Sequence, residues 1–380
     1  MSEDEEDFNS IVIDNGSYKL LAGFGGDVSP KCIMKCLAGS PPGAPDNFVC
    51  GDEAYKLAHE HGQQHVDVKC PIQRGIVTDW DSMEKMWSYA FTHELQLQTV
   101  EEHAIVMTEA PLNPQSHREK IAEIMFETYK VPSLYVTSPA VLSLYASGRV
   151  EGVVLDSGES VTCAAPITGS VDNGLHCLDA IERQDVAGRD VVEYLLTKLI
   201  PRRDLQPLNY YTAREIKEKC CYIAEDYQKE IEAPKKINYS LPDGRNVELG
   251  RECFTCPEAL FKPYSTPLNL TYGIHEMVNR AILRCSQQSE QLQKSLFSNI
   301  ILSGAGTMLL GLSQRMQREL ESLAPPGVPV KVIAPPERRS SAWIGGSIVG
   351  SLSIYQKVAT TKDEYKEYGP SAIHRKNTLN

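Results

Sequence analysis

The sequence predicts an α/β protein made of two related halves. A β-rich apolar segment ends in Asp14-Asn15-Gly16, and a second one ends 142 residues later in Asp156-Ser157-Gly158. A single Asp-x-Gly turn is ordinary in proteins, but the recurrence of strand, acid and glycine turn indicates a duplication. A third apolar segment, residues 299–302 (NIIL), runs into the small residues SGAGT. Helical periodicity separates these segments, so strands and helices alternate along the chain.

The first half begins with a predicted strand at residues 9–14 (NSIVID), and Asn15-Gly16 supplies the residues that a tight hairpin needs. Residues 19–26 form the returning strand. Residues 39–46 (GSPPGAPD) are predicted to be a loop, because three prolines and two glycines sustain neither helix nor strand. Helical patterns follow at residues 79–95, 115–129 and 139–147, with short strands at 104–107 and 133–136.

The second half restarts with a strand at residues 152–155 (GVVL) and later places the SGAGT segment before a helical pattern at residues 311–324. Small residues after a strand let backbone N–H groups approach a ligand closely. Alone, such a strand-to-helix turn is as often structural as it is a nucleotide site. Together with the two aspartate turns it forms a set of three phosphate-type signals.

The composition indicates a large globular protein. With 380 residues, of which 42% are hydrophobic, the chain supports a sizeable core and about two or three domains. No apolar run reaches the roughly 18 residues of a membrane span, and the N-terminus begins with acids, so we expect a cytosolic or nuclear protein. The net charge of −12 without a basic stripe argues against nucleic-acid binding. Eleven scattered cysteines indicate reduced thiols, and the acidic residues 3–7 form either a solubilising tail or a dock for a basic partner.

Long stretches of the sequence resemble actin. They are VIDNGS (12–17), AGFGGD (22–27), GIVTDWDSMEKMW (75–87), TEAPLNPQSHREKIAEIMFET (108–128), AVLSLYASGR (140–149), AGRD (187–190), IKEKCCYIA (216–224), CPEALF (256–261), YGIHE (272–276) and APPERRSSAWIGGSI (334–348). The resemblance runs nearly end to end. It implies the actin-type fold, in which two duplicated ribonuclease-H-like domains surround a nucleotide cleft that holds ATP or ADP with Mg²⁺ or Ca²⁺.

The resemblance also implies domain boundaries. The first, smaller domain would comprise residues 1–146 plus 341–380, with a peripheral subdomain at about 34–70. The second would comprise residues 147–340, with a peripheral subdomain at about 187–269.

Site residues carry over from the resemblance position by position. One phosphate clamp would be formed by Asp14, Gly16 and Ser17, and the other by Asp156, Gly158, Glu159, Ser160 and Val161. Asp14 and Asp156 would hold the metal through its water molecules, since carboxylates are typical partners of a hydrated divalent ion. The nucleoside side would be formed by Gly188, Lys217, Glu218, Gly304, Ala305, Thr307, Met308 and Arg339. Lys217 and Glu218 fall in a helical pattern and could equally belong to a solvated face.

Two departures from the family concern the attacking water. Pro139 replaces a glutamine that positions this water, although Ser138-Pro139 is also a favourable helix start. Cys163 replaces a histidine that helps to arrange water, and a thiol is a weak hydrogen-bonding group. Losing one preorganised catalytic contact costs on the order of 3 kcal/mol, about a hundredfold in rate. The paired changes therefore predict impaired ATP hydrolysis.

Other departures affect nucleotide contacts. Tyr18 replaces a glycine, and Leu21 replaces a lysine that contacts phosphate. Lys19, two residues before Leu21, should point to the same face, where it either partly replaces the lost charge or is simply solvated. Glu159, Ser160 and Ala305 add bulk where the family has aspartate, glycine and glycine, so we expect reduced nucleotide affinity.

Partner contacts are predicted from the same resemblance. The apolar residues Leu144, Tyr145, Ile344, Ile348, Val349 and Leu352 match the family's target-binding cleft, although their spacing also suits a plain helix core. Residues 39–48 are shorter than the family's subunit-contact loop and contain three prolines and no methionine. Residues 264–272 replace its apolar plug with a mixed segment. Both changes predict that long homofilaments do not form, while contacts with other actin-family subunits or actin-binding proteins remain expected.

Two functions remain open from the sequence. The first is a structural actin relative that binds nucleotide with weak or no hydrolysis, as a subunit of a filament or of a cytoskeletal, axonemal or chromatin complex. The second is an active ATPase that polymerises with turnover. A sugar kinase or a chaperone would require a substrate-pocket base or a separate peptide domain, which this chain has no residues left to supply.

Overall fold

The computed structural model describes residues 9–41, 43–44, 47–61, 67–169, 178–263, 271–287 and 289–376. The chain divides into two compact units. Unit 1 comprises residues 1–151, 167–178 and 340–380, and unit 2 comprises residues 152–166 and 179–339. The acidic run 3–7 and residues 264–270 of the predicted plug segment lie outside the described residues.

Strands occur along the whole described chain. In chain order they are β1 (Ser10–Asn15), β2 (Lys19–Phe24), β3 (Cys32–Lys35), β4 (Ala38–Ser40), β5 (Val49–Cys50), β6 (Asp67–Lys69), β7 (Ile72–Gln73), β8 (Ile76–Val77), β9 (Ala104–Thr108), β10 (Ser133–Thr137), β11 (Gly152–Ser157), β12 (Thr162–Ile167), β13 (Glu182–Gln184), β14 (Ile237–Ser240), β15 (Asn246–Leu249), β16 (Ile300–Ser303), β17 (Val332–Ile333) and β18 (Thr360–Thr361).

Helices alternate with these strands. They are α1 (Gly51–His61), α2 (Trp80–Tyr89), α3 (Gln115–Glu123), α4 (Pro139–Ala146), α5 (Gly188–Leu199), α6 (Tyr210–Cys220), α7 (Tyr227–Glu232), α8 (Glu252–Glu258), α9 (Ile274–Cys285), α10 (Glu290–Phe297), α11 (Leu312–Leu323), α12 (Ser341–Gly350), α13 (Ile354–Val358) and α14 (Lys362–Tyr368). Helices α2 and α3 each continue into a π-helical turn, at Ala90–Glu94 and Ile124–Thr128. Among the described residues, no helix has both the length and the apolar content that a membrane crossing requires.

Unit 1 is built on a six-stranded sheet with the order β18-β10-β9-β1-β2-β3. Strand β1 pairs antiparallel with β2 and parallel with β9. Both faces of this sheet are covered, which explains the uninterrupted apolar run in β1. Ile11 and Ile13 face one cluster, which includes Trp87, whereas Val12 faces the other, with Trp343 of α12.

Unit 2 repeats the same local arrangement in a five-stranded sheet with the order β13-β12-β11-β16-β17. Strand β11 lies beside β12 on one side and pairs parallel with β16 on the other. Its side chains Val153 and Leu155 pack in one cluster with residues of α9 and α11. A second core, formed largely by α5, α6, α8, β14 and β15, fills the peripheral part of the unit.

One sequence expectation about local structure is wrong in part. Residues 39–46 were predicted to be a loop, but Gly39 and Ser40 belong to strand β4. Their backbone pairs with two neighbours, since Gly39 lies opposite Val49 of β5 and Val68 of β6. Pairing on both sides supplies the hydrogen bonds that outweigh the weak strand preference of glycine.

Candidate functional site

The first turn, which we define as residues 14–18, connects β1 to β2. The Gly16 N–H donates to the Lys19 carbonyl across 3.1 Å and closes the hairpin. A β-carbon on Gly16 would lie only 2.6 Å from that carbonyl oxygen. The close approach therefore requires glycine, and it leaves Asp14 at the end of β1, opposite Leu21.

Asp14 is held by Thr108, the last residue of β9. The Thr108 hydroxyl donates to Asp14 Oδ1 across 2.8 Å and accepts the Asn15 N–H across 2.8 Å. The Asn15 side chain is fixed in turn, because its Oδ1 accepts the indole N–H of Trp87 at 3.0 Å. Sequence reasoning did not single out Thr108, although its place directly after the AIVM strand is the signal that could have done so.

The substituted residues of the first turn have structural partners. The Tyr18 hydroxyl accepts a hydrogen bond from Lys35 Nζ at 2.7 Å, and the same ammonium lies 4.3 Å from the ring centroid. Leu21 is buried among apolar residues, in the cluster that contains Trp343. Lys19 is half-buried and pairs in register with Lys35. Leu21 thus serves as a core residue where the family has a lysine.

The second turn, which we define as residues 156–161, connects β11 to β12. The Gly158 N–H donates to the Val161 carbonyl at 3.1 Å. The start of α5 supports the turn from outside, since the Gly188 N–H donates to the Gly158 carbonyl at 3.2 Å and the Arg189 N–H to the Glu159 carbonyl at 2.7 Å. The predicted site residue Gly188 therefore contacts the second turn directly.

Asp156 occupies the place in unit 2 that Asp14 has in unit 1. It lies in register with Ser303, the last residue of the parallel strand β16. Burial raises the pKa of Asp156, and the hydrogen bond from the Ser303 side chain opposes that shift. Each aspartate is thus supported by a hydroxyl at the end of the neighbouring parallel strand, and this shared device was not predicted from the sequence.

The Glu159 side chain is occupied by unit 2 itself. Arg214 of α6 places its Nη1 2.7 Å from both carboxylate oxygens, and the Tyr210 hydroxyl donates to Oε1 at 3.1 Å. Both charged side chains are buried. Glutamate in place of the family's aspartate is therefore accommodated by an internal ion pair. Ser160 is also buried, whereas Val161 is half-buried.

Lys217 and Glu218 have different environments on α6. Lys217 is buried with its Nζ 3.5 Å from the Gly188 carbonyl oxygen, and burial, followed by the Arg214 charge, lowers its pKa. Glu218 is about half exposed and lies 3.1 Å from Arg214 Nε. The solvated-face alternative thus fits Glu218 and does not fit Lys217.

The SGAGT loop, residues 303–307, packs on the end of β11. Gly304 has φ of +84°, and a β-carbon there would lie 2.3 Å from the Ser157 carbonyl oxygen and 2.8 Å from Asp156 Oδ1. A β-carbon on Gly306 would lie 2.7 Å from the same Ser157 oxygen. Side chains are therefore excluded at both positions, and this loop lies directly beside Asp156.

Thr307 and Arg338 hold the SGAGT loop in place. The Thr307 hydroxyl donates to the Gly304 carbonyl at 2.7 Å, and Arg338 Nη2 donates to the Thr307 carbonyl at 3.1 Å. The Arg338 carbonyl accepts the Gly304 N–H at 2.9 Å. Sequence reasoning named the adjacent Arg339, which is exposed, as is Ala305, while Met308 is half-buried.

The two water-positioning substitutions fit their surroundings well. Pro139 is the first residue of α4, and Ser138 caps the helix by accepting the Ala140 N–H at 3.2 Å, so the predicted helix start is confirmed. Cys163 is buried on β12. Burial and the charge of Asp156 raise the pKa of the Cys163 thiol well above its ordinary value, which keeps it neutral at physiological pH.

The predicted partner-cleft residues divide by exposure. Helices α4 and α12 pack closely. A β-carbon on Gly345 would lie only 1.9 Å from the Leu142 carbonyl oxygen, so this close packing requires glycine. Leu144 and Val349 are buried in this packing, and Tyr145 and Ile344 are half-buried. Ile348 and Leu352 are 39% and 49% exposed, so these two side chains offer most of the available apolar surface.

The family model described as Actin matches residues 5–211 and 205–378. These matches cover nearly the entire sequence, and the chain therefore belongs to the actin family. Its α/β sheets and helices are those of the actin-type fold. Proteins of this family generally bind a nucleotide with a divalent metal and are generally cytoskeletal.

Proposed function

We propose that this chain is a divergent actin-like structural protein that binds ATP or ADP with Mg²⁺ and hydrolyses ATP weakly or not at all. It acts as a subunit of a filament or of a larger cytoskeletal, axonemal or chromatin-associated complex. Its partners are other actin-family subunits or actin-binding proteins. It localises to the cytoplasm and the cytoskeleton.

Nucleotide binding is supported by how the described residues fit such a ligand. Each unit has a glycine turn beside an aspartate. The Thr108 hydroxyl donates a hydrogen bond to Asp14, and the Ser303 hydroxyl donates one to Asp156. Backbone N–H groups in turns of this kind hydrogen-bond phosphate oxygens, and the carboxylates bind metal-bound waters. A divalent ion supplies charge neutralisation for the phosphates. Lys217, which is buried beside Gly188, adds a positive charge for the nucleotide.

Weak hydrolysis is supported above all by the buried position of Cys163 on β12, where burial, followed by the charge of Asp156, raises the pKa of its thiol. A general base or proton relay must exchange a proton near neutral pH, and a thiol with a raised pKa does not. Pro139 has no side-chain donor or acceptor to orient a water molecule, and its ring is committed to the first turn of α4. Two water-handling groups are thus replaced together.

The experiment compares nucleotide content and turnover. Purified protein is denatured and its nucleotide identified by chromatography, after exchange with medium that contains equal ATP and ADP. We expect retained ATP and a phosphate release rate at least tenfold below that of a conventional actin. The variant Pro139→Gln with Cys163→His should recover part of the rate. The double-variant gain should differ from the sum of the single gains, because the glutamine and histidine of the family act together on the attacking water.

The alternative function is an active ATPase that polymerises with turnover, and the retained pair Asp14 and Asp156 favours it. Retained ADP, together with fast phosphate release by the unmodified protein, would establish this alternative and exclude the weak-hydrolysis proposal. Protein that retains neither nucleotide and shows no thermal shift with Mg²⁺ and ATP would exclude both.

A further inference from the structure

Two cysteine thiols lie together beneath the first turn. Cys36 directly follows β3, and Cys70 lies between β6 and β7. Their Sγ atoms are 3.7 Å apart. Cys36 is buried, whereas Cys70 is half-buried, so Cys70 is the more exposed residue of the pair.

Both cysteines contact the backbone of the first turn. The Cys36 N–H donates to the Tyr18 carbonyl at 2.8 Å. The Cys70 Sγ lies 3.1 Å from the Ser17 carbonyl oxygen and 2.9 Å from the Ile72 carbonyl oxygen, so these two carbonyls share its single thiol proton. The Ser17 and Tyr18 carbonyls are consecutive in the first turn. A covalent change at the cysteine pair therefore acts directly on the backbone of that turn.

We propose that Cys36 and Cys70 are a redox modification site, at which hydrogen peroxide forms a reversible disulfide that loosens the first turn. Cys70 reacts first because it is the more exposed residue of the two. Cys70 releases its thiol proton to solvent, the thiolate attacks one peroxide oxygen and the O–O bond breaks, leaving a sulfenic acid, while the departing hydroxide takes up a proton from solvent to become water. The Cys36 sulfur then attacks the Cys70 sulfur, the S–O bond breaks, and a second water leaves with the Cys36 proton. Two electrons pass from the two sulfurs to peroxide.

The geometry suits this second step. The sulfur atoms must approach by about 1.7 Å to shorten their separation from 3.7 Å to the S–S bond length of about 2.05 Å. Before Cys70 is oxidised, Cys36 is protected from peroxide, because its hydrogen bond with Cys70, followed by burial, raises the pKa of its thiol. Once the disulfide forms, Cys70 has no proton to donate, and the Ser17 and Ile72 carbonyls lose the thiol donor that they share. The effect on nucleotide release rests on the proposed function, whereas disulfide formation does not.

Disulfide formation is tested by peptide mapping of the full-length protein. Trypsin cleaves after Lys35 and Lys69, so Cys36 lies in the peptide of residues 36–56 and Cys70 in the peptide of residues 70–74. After mild peroxide treatment and thiol blocking, we expect these peptides joined, and dithiothreitol should separate them. The longer peptide also contains Cys50, so the variant Cys50→Ala should give the same linked pair and Cys36→Ala should lose it. Oxidation of Cys70 to sulfinic acid while Cys36 remains alkylatable, or a link that disappears in Cys50→Ala, would overturn the proposal.

Coupling to the turn is tested with the fluorescent nucleotide mant-ADP. We expect oxidised wild type to release it at least threefold faster than reduced wild type. The matched control is Cys70→Ser, whose hydroxyl keeps a donor for the Ser17 carbonyl, so its release rate should stay near the reduced value with or without peroxide. Equal release from oxidised and reduced wild type would refute the coupling. If reduced wild type does not bind mant-ADP, the nucleotide proposal fails, while the peptide map still decides the disulfide.

Discussion

The ion pair between Arg214 and Glu159 allows a quantitative test of how the second turn is held. The two side chains are only 7% and 5% exposed, with an N–O distance of 2.7 Å. Replacing Glu159 by Gln removes the buried carboxylate from Arg214 and leaves that charge only Glu218, whose side chain is 46% exposed. Breaking a buried pair in this way costs about 3–5 kcal/mol. The matched control is Lys236–Glu248, an equally short pair at 2.8 Å whose side chains are 75% and 53% exposed, and Lys236→Met should cost about 0–1 kcal/mol.

The assay must report on unit 2 separately. The three tryptophans, Trp80, Trp87 and Trp343, all lie in unit 1, so intrinsic fluorescence follows that unit. Amide hydrogen exchange in α5 and α6 follows the region around the ion pair. In Glu159→Gln we expect the opening free energy in α5 and α6 to fall by about 3 kcal/mol, with little change in the fluorescence midpoint in urea.

A double variant distinguishes pairing from packing. Glu159→Leu combined with Arg214→Met removes both charges and keeps similar volume, so most of the lost stability should return. If the stability lost in Glu159→Gln is no larger than the stability lost in Lys236→Met, the reasoning is refuted. The same holds if the double variant is as unstable as the single one, because the cost would then lie in packing rather than in an unpaired buried charge.

Three further predictions follow from other parts of the molecule. Asp156→Asn should abolish the rise in melting temperature with Mg²⁺ and ATP. Because burial raises the folded-state pKa of Asp156, the aspartate's contribution to the stability of the nucleotide-free protein is fully present at low pH and is lost as pH rises through that pKa. The melting temperature of wild type should therefore fall relative to Asp156→Asn over this pH interval, and an unchanged difference would contradict the argument. Because the Ile348 side chain is 39% exposed, the variant Ile348→Asp should fold normally yet lose actin-family partners in a pull-down. The buried control Leu144→Asp should unfold unit 1. If folded Ile348→Asp captures the partners as well as wild type does, the cleft hypothesis is wrong. Pure protein with Mg²⁺, salt and ATP should stay in the supernatant on sedimentation, and abundant long filaments in electron micrographs would show that the proline-rich segment 39–48 does not prevent assembly.

Local features were predictable from the sequence where neighbours in the chain determine them. The hairpin at Gly16 and the helix start at Ser138-Pro139 both follow from short-range chemistry, and the structure contains them. The strand at Gly39 could not be read this way, because its stability comes from pairing with segments 10 and 29 residues farther along.

Site details were less predictable because they depend on long-range contacts. Thr108 is 94 residues from Asp14, and Arg214 is 55 residues from Glu159. No spacing rule connects such positions, so the turns could be located while the groups that hold them could not. The sequence could not distinguish Arg338 from the adjacent Arg339, because only the folded chain shows which of the two arginines holds the SGAGT loop.

Helix α12 has a consequence for how the chain acquires its structure during synthesis. It packs against β1 and α4, with the Trp343 indole N–H donating to the Val12 carbonyl at 3.2 Å. Residues 1–151 emerge from the ribosome long before residue 341, and until then the apolar face around Val12 and Leu142 has no cover. Unit 2 is translated in between, from residues 152–166 and 179–339, and can assemble before residues 340–380 are made. Unit 1 is therefore the first unit to be translated and the last to complete its fold. The interval in which its apolar face is uncovered is when the new chain is most exposed to aggregation.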